Sequence, residues 1–366
     1  MPSLDPAVWS DLGVDPTSVS FSSSSGSGFS SCFRVTAQRR DSRAEAQYFV
    51  KIATGHDAGT MIAGEFASLN AIAAVVPRFC PRAHAHGPLP GRANAHFLVT
   101  DWIDLHGGGG GGNGGGAASN RATGHRSLAA KLAALHTVDV SGTAGGPPDS
   151  GKPFGFPVST CCGATAQDNT WTESWADFYA DRRLRAILAR CLAEQDKDDH
   201  QLIRAVERTA STVVPRLLRP GHLQRSAARR EGSGGDGGGK EITPAVVHGD
   251  LWSGNRGRGR VPNWSREDPE GEHDDDDERE EVVYDPACVY GHSEYDLGIM
   301  RMFGGFGRSF WREYEALVPK DEPVAEWDDR VTLYELYHHL NHYALFGYSY
   351  RDSAMAIMRK LLEKYG

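Results

Sequence analysis

The stretch Val246-Val-His-Gly-Asp-Leu-Trp-Ser-Gly-Asn255 and the strand-like Val282-Val-Tyr-Asp-Pro286 each place polar groups directly behind an apolar run. Phosphoryl transfer needs that combination: a carboxylate beside the attacking hydroxyl, and oxygen ligands that hold Mg²⁺ against nucleotide phosphates. Asp250 can be the base, while Asn255 and Asp285 can be the metal ligands. An Asp, four intervening residues and then an Asn is the spacing of a kinase catalytic loop. Taken singly, His-Gly-Asp is an ordinary polar turn and Asp-Pro an ordinary helix start; their conjunction and order select the chemistry.

Upstream, Lys51 lies on a strand-like run and Glu65 in the helix that follows, as a Lys–Glu pair gripping the phosphates requires. Gly26 and Gly28, between two strands, can cover phosphates with backbone N–H groups. Serine and glycine also fill common hairpins, so that signal is weak alone. Residues 234–240 spell most of a nucleotide-binding loop, but Glu241 replaces its Ser or Thr and no strand precedes it. They are read as a linker.

These groups need a scaffold, and the pattern supplies a sheet followed by helices. Residues 18–21, 32–36, 48–52 and 97–100 are strand-like runs between turn-rich segments, an antiparallel meander. Residues 63–76 carry Phe66, Leu69, Ile72 and Val76 at helical spacing, and Pro77 stops them. Residues 128–136, 171–192, 200–218, 294–303 and 327–346 are expected to be helical. The expected organisation is an N-lobe over 1–105 with the nucleotide-binding sheet and one helix, and a helical C-lobe over 120–366 with the catalytic loop. A nearly pure glycine run makes 106–119 a flexible insertion at the lobe boundary. Glycine-rich and charge-dense composition makes the stretches near 225–241 and 256–281 disordered insertions.

The net charge of −9 on 366 residues excludes a phosphate-backbone binder, so no nucleic-acid partner is expected. Residues 1–16 contain Asp5, Asp11 and Asp15 and no basic region, unlike a targeting signal. No apolar stretch reads as long enough to span a bilayer, so no membrane association is expected. The six cysteines form no CxxC pair, which suits a reducing, cytoplasmic location. Adjacent Cys161 and Cys162 cannot readily chelate one ion, and no third ligand lies at a metal spacing along the chain.

The motifs resemble the fructosamine/ribulosamine kinase family (protein-ketosamine 3-kinases), within the aminoglycoside-kinase-like group of protein-kinase folds. The likeness runs through HGDLWSGN (248–255), YDPACVYGHSEYDLGIMRMFGGF (284–306), FGFPVSTCCGATAQDNTW (154–171), GEFASLNAI (64–72) and LNHYALFG (340–347), and spans nearly the whole chain. It implies an α+β, bilobal protein-kinase-like fold with a small antiparallel-sheet N-lobe and a mostly helical C-lobe. It implies ATP and Mg²⁺ as cofactors, Asp250 as base, Asn255 and Asp285 on the metal, and Lys51 with Glu65 at the nucleotide. Thr100, Asp101 and Trp102 would form the hinge that meets adenine. Trp252 would stack on the sugar, and His292 and Glu294 would either line the same pocket or cap a helix.

The implied reaction is phosphorylation of O3 of protein-bound ketosamines, ribulosamines in preference to fructosamines, after which the adduct falls off and the protein is repaired. Glycated proteins or glycated lysine are the expected partners, with a monomer as the default. The chain departs from the family in inserting residues 256–281, and in having Phe29 where some members carry a cysteine, with Cys32 coming later. Redox control through Cys32 is therefore not expected. His136 is expected to pack, and Asp296 to orient the loop or touch substrate. The competing readings are a kinase of a free metabolite such as an aminoglycoside or choline, and a catalytically silent nucleotide-binding scaffold.

Overall fold

Side chains alternate across a strand, and residues 30–54 exploit this fully. In the computed structural model, β2 (Ser30–Gln38) and β3 (Glu45–Thr54) pair antiparallel, Cys32 opposite Lys51. Val35, Ala37, Tyr48, Val50 and Ile52 enter one core, with Trp9, Phe97 and Val99. The same alternation turns Phe49 and Lys51 to the other face. The structure describes residues 4–24, 30–105, 126–138, 140, 146–148, 151, 153–226, 241–261, 279–347 and 349–366. Gly26, Gly28, the glycine run at 107–116 and residues 227–240 and 262–278 lie outside the described residues.

The described residues fall into two compact units, 1–128 with 255–285, and 129–254 with 286–366. In the first, β1 (Ser20–Ser24), β4 (Ala83–Pro88) and β5 (Ala95–Asp101) complete a five-stranded sheet of order β1-β2-β3-β5-β4. Helix α1 (Pro6–Asp11), capped by Asp5 through the Ala7 N–H at 2.8 Å, delivers Trp9 to the core. Helix α2 (Ala58–Val75) follows β3 and buries Ile62, Glu65, Leu69 and Ile72. By length and composition α2 is apolar enough to cross a membrane, which corrects the expectation that no stretch is.

A second sheet in this unit, of order β11-β10-β6, joins β6 (Asp104–Leu105), β10 (Arg256–Arg260) and β11 (Arg279–Val283). The ends of the expected 256–281 insertion are thus paired strands, Arg256 opposite Val283 and Arg260 opposite Arg279. The grouping also differs from the expected division, which assigned 255–285 to the helical part. Backbone pairing explains it, since β10 bonds to β6 through Gly259 and Leu105. A β-carbon on Gly259 would come within 2.5 Å of Ile103, so only glycine permits this approach.

The second unit is built on helices. It comprises α3 (Leu128–Thr137, whose first residue groups with the other unit), α4 (Trp175–Asp177), α5 (Ala186–Glu194), α6 (His200–Arg208), α7 (Val214–Leu218), α8 (Tyr295–Phe303), α9 (Arg308–Leu317), α10 (Trp327–Phe346) and α11 (Ser349–Tyr365). Two small strand pairs accompany them, β7 (Thr160–Cys162) with β8 (Thr165–Gln167), and β9 (Ala245–Val247) with β12 (Val289–Gly291). Wide π-helical turns at Phe178–Arg185 and Thr209–Val213 interrupt the two long expected helices. The second turn precedes Pro215, whose missing N–H would break a regular α-helical ladder. Trp175, Phe178, Tyr179, Tyr334, Tyr337 and Leu340 lie in the core of this unit. The expected insertion near 225–241 is fixed at its edges, where Gln224 bridges to Glu241 and the Ser226 N–H donates to Asp321 at 2.8 Å.

Candidate active site

In the first unit, β3 carries Lys51 and α2 carries Glu65, and a 2.8 Å ion pair joins them. Lys51 Nζ also donates to Asp285 Oδ1 at 2.7 Å, so one ammonium serves two carboxylates. Burial alone would push the Lys51 pKa down, but the two carboxylates outweigh it and hold the group charged. Glu65 is pushed up by burial and by the charge of Asp285, against the pull of Lys51. The set carries one positive and two negative formal charges, an excess that favours a further cation.

Asp285 follows β11, and the hairpin register brings Asn255 beside it: the Tyr284 N–H donates to the Asn255 carbonyl at 3.1 Å. Asp285 adopts a left-handed backbone (φ 53°), which a non-glycine residue holds only when its surroundings over-determine it. Its side chain is 44% exposed, whereas those of Lys51 and Glu65 are almost wholly covered.

These residues border a cavity of about 480 Å³, also lined by Phe49, Thr100, Asp101, Trp102 and Cys32. Its wall at 100–102 is fixed by β5, where Thr100 pairs with Phe49 and Asp101 with Tyr48. The Asp101 carboxylate is turned into structure, accepting from the Arg82 N–H at 3.0 Å and bonding His84 Nε2 at 2.6 Å. Asp101 therefore offers its backbone, not its side chain, to the cavity. Burial pushes the Cys32 thiol up, away from the reactive thiolate.

In the second unit, the loop after β9 is held by Asp296 of α8. The carboxylate accepts the His248 N–H at 2.8 Å and the Gly249 N–H at 2.7 Å. His136 of α3 bonds Asp296 through Nε2 at 3.0 Å and the Tyr314 hydroxyl through Nδ1 at 2.7 Å. Burial opposes ionisation of Asp296, but these donors hold its pKa below the usual carboxylate range. Gly249 has φ 80°, and a β-carbon there would lie 2.1 Å from the Ala287 carbonyl oxygen. Asp250 next to it is thereby placed on a fixed turn. Of the two roles open to Asp296, the geometry gives loop orientation, and His136 packs.

Trp252 is 39% exposed, with its ring over Gly254 and 5.6 Å from Phe303. His292 and Glu294 are both buried, and Glu294, which directly precedes α8, makes no side-chain capping hydrogen bond to it. His292 is buried between the Tyr334 hydroxyl at 2.8 Å and Asp321 at 3.0 Å. Glu294 takes a two-pronged contact from Arg330, at 2.8 and 3.0 Å, and accepts the Asp321 N–H. Among residues the sequence left unassigned, Tyr284 lines the cavity, and His338 lies with Cys162 and Asp250. No spacing signal could reveal the latter group, because its members come from three distant segments.

An antiparallel sheet carrying Lys51, the following helix carrying its partner Glu65, a loop carrying Asp250 and Asn255, and a metal-type Asp after the next strand define a protein-kinase-like phosphotransferase. Three comparisons narrow the class. The sequence pattern of the fructosamine kinase family matches residues 17–364, and the chain belongs to that family. It is 31% identical to ketosamine-3-kinase of Mus musculus, over 87% of this chain and 88% of that protein. It is 33% identical to a chloroplastic protein-ribulosamine 3-kinase of Arabidopsis thaliana, over 85% of this chain and 74% of that one. A crystal structure provisionally designated fructosamine-3-kinase, from Thermobifida fusca YX-ER1, superposes with a TM-score of 0.62 at 22% identity over 99% of both chains.

Proposed function

We propose that this enzyme transfers the γ-phosphoryl group of ATP to O3 of ketosamines carried on protein amines, ribulosamines foremost. The observation that carries the reading is Lys51 bracketed by Glu65 and Asp285 on the wall of a cavity bounded by residues 100–102. Lys51 grips nucleotide phosphates, Glu65 keeps it aimed, and the backbone at 100–102 receives the adenine. The oxygen-only donor set of Asn255 and Asp285, with its excess negative charge, suits Mg²⁺, and these two residues would hold it. When bound, the ion offsets the charge of the phosphates.

Asp250 accepts the proton of the O3 hydroxyl while that oxygen bonds to the γ-phosphorus and ADP departs. Trp252 covers the sugar face and limits water. The phosphate now sits on C3, one carbon from the C2 carbonyl. Enolisation expels it from C3, hydrolysis frees the amine, and the protein is deglycated.

The test is ATP consumption with ribulosyl-lysine, psicosyl-lysine and fructosyl-lysine side by side, together with free aminoglycoside and choline. Highest kcat/KM on ribulosyl-lysine supports the reading. A higher value on a free metabolite replaces it with that substrate class, and Mg·ATP binding without any turnover replaces it with a silent scaffold.

A further inference from the structure

Cys162 ends β7, Asp250 follows β9 and His338 lies in the middle of α10. One ligand atom from each, the thiol sulfur, a carboxylate oxygen and an imidazole nitrogen, lies within 4.8 Å of both others. All three belong to the second unit. The imidazole is the anomaly. His338 is fully buried, yet neither ring nitrogen has a hydrogen-bond partner among the described residues. A buried polar group without a partner carries a desolvation cost that something must offset.

We infer that Cys162, Asp250 and His338 form a site for a soft divalent cation, Zn²⁺, which captures the Asp250 carboxylate and so switches the enzyme off. Thiolate, imidazole and carboxylate are the ligand types zinc takes, whereas Mg²⁺ prefers oxygen alone, so the two ions sort to different residues. Zinc bonds of about 2.0–2.3 Å place tetrahedral ligand atoms roughly 3.5 Å from one another, so a contraction of at most about 1.3 Å from the 4.8 Å bound closes the site. The fourth position remains open to water.

Supporting contacts fix two of the ligands. Asn341 Nδ2 donates to the Cys162 sulfur at 3.4 Å and carbonyl at 3.3 Å, and its own Oδ1 accepts from Thr165. His338 is held by α10, with Tyr337 of the same helix and Tyr295 of α8 beside its ring. Burial keeps the imidazole neutral, ready to donate a lone pair, and burial together with the Asp250 charge keeps the thiol protonated. Coordination therefore balances as follows: the Cys162 S–H bond breaks, its proton leaves to solvent, and sulfur, nitrogen and oxygen each give an electron pair to Zn²⁺. No oxidation is involved. The Arg183 charge opposes the cation, and the Asp250 carboxylate and the Cys162 thiolate formed on binding outweigh it.

The inhibitory consequence rests on the proposed role of Asp250, but binding can be tested apart from it. Zinc titrated calorimetrically into the purified full chain, without nucleotide, is expected to give one tight site per chain that excess Mg²⁺ does not displace. Co²⁺ in its place is expected to give a near-ultraviolet sulfur-to-metal band. Cys162→Ser should abolish the band, and Cys162→Ser and His338→Gln should each weaken zinc by at least about 10–100-fold, the loss that removal of even an outer-shell partner brings. Circular dichroism checks that both variants fold; should Cys162→Ser unfold, Cys162→Ala takes its place. Absence of stoichiometric binding or of the cobalt band in the wild-type protein overturns the site, as does unchanged affinity in both variants. In the kinase assay, zinc should inhibit reversibly with a chelator. Zinc binding without inhibition keeps the site and removes Asp250 from the reaction.

Discussion

Two regions each set a buried cation against acidic groups, and they do opposite things. Around Lys51, one ammonium meets Glu65 and Asp285, and the Asp285 side chain is 44% exposed on a cavity wall. Around Arg330, the guanidinium is enclosed: it forks onto Glu294 and donates to the Pro323 and Asp321 carbonyls at 2.9 and 2.7 Å. His292 extends the cluster, bonding both Asp321 and the Tyr334 hydroxyl. A buried charge cluster whose guanidinium makes four hydrogen bonds, beside a cavity of only about 10 Å³, is scaffolding. One left with surplus charge at an open wall is poised to take a ligand.

That contrast is sharpest when broken. Asp285→Ala should abolish turnover, a fall beyond roughly 10³-fold given the weight of electrostatic terms in phosphoryl transfer, while the melting temperature stays near wild type. A steady-state assay beside a thermal melt checks both halves. Asp250→Asn should cut kcat by about 10²–10⁴-fold with nucleotide affinity largely kept, as read by kinetics and calorimetry. Unchanged kcat in that folded variant would remove Asp250 from the role of base.

On the other side, Arg330→Met strands the Glu294 carboxylate and should cost about 3–5 kcal/mol of stability in denaturant unfolding. Whatever fraction remains folded should keep its kcat. The mildest prediction concerns pH. Burial pushes His338 down from 6.5 to about 3, so below pH 6.5 the unfolded chain binds a proton that the folded one does not. Stability from this group is therefore complete above pH 6.5 and falls as pH drops toward 3, by about 1.4 kcal/mol per unit. His338→Gln should flatten that slope in melts taken across the window.

Much of the fold was legible where local rules agree. The alternation in β3 and the helical spacing in α2 put Lys51 and Glu65 on elements the sequence could name. The helix at 327–346 was foreseen to its ends. Strand β4 was not, because Ala-His-Ala-His-Gly-Pro lacks the branched and aromatic residues that mark strands, and only pairing with β5 makes it one. His292 and Glu294 admit two readings, pocket lining or helix capping, because polar types between a site motif and a helix start invite both; no local signal announces that Arg330 lies across from Glu294.

The sequence alone determined which chemistry is available: the residue types at 51, 65, 250, 255 and 285, their order, and the strand and helix periods that carry them. These depend on neighbours a few residues apart, and a linear pattern records them. Tertiary structure alone decided which acids are saturated and which are left facing a cavity, and that residues 162, 250 and 338 meet. Such facts depend on desolvation and on pairing between distant segments, and spacing along the chain carries no trace of either.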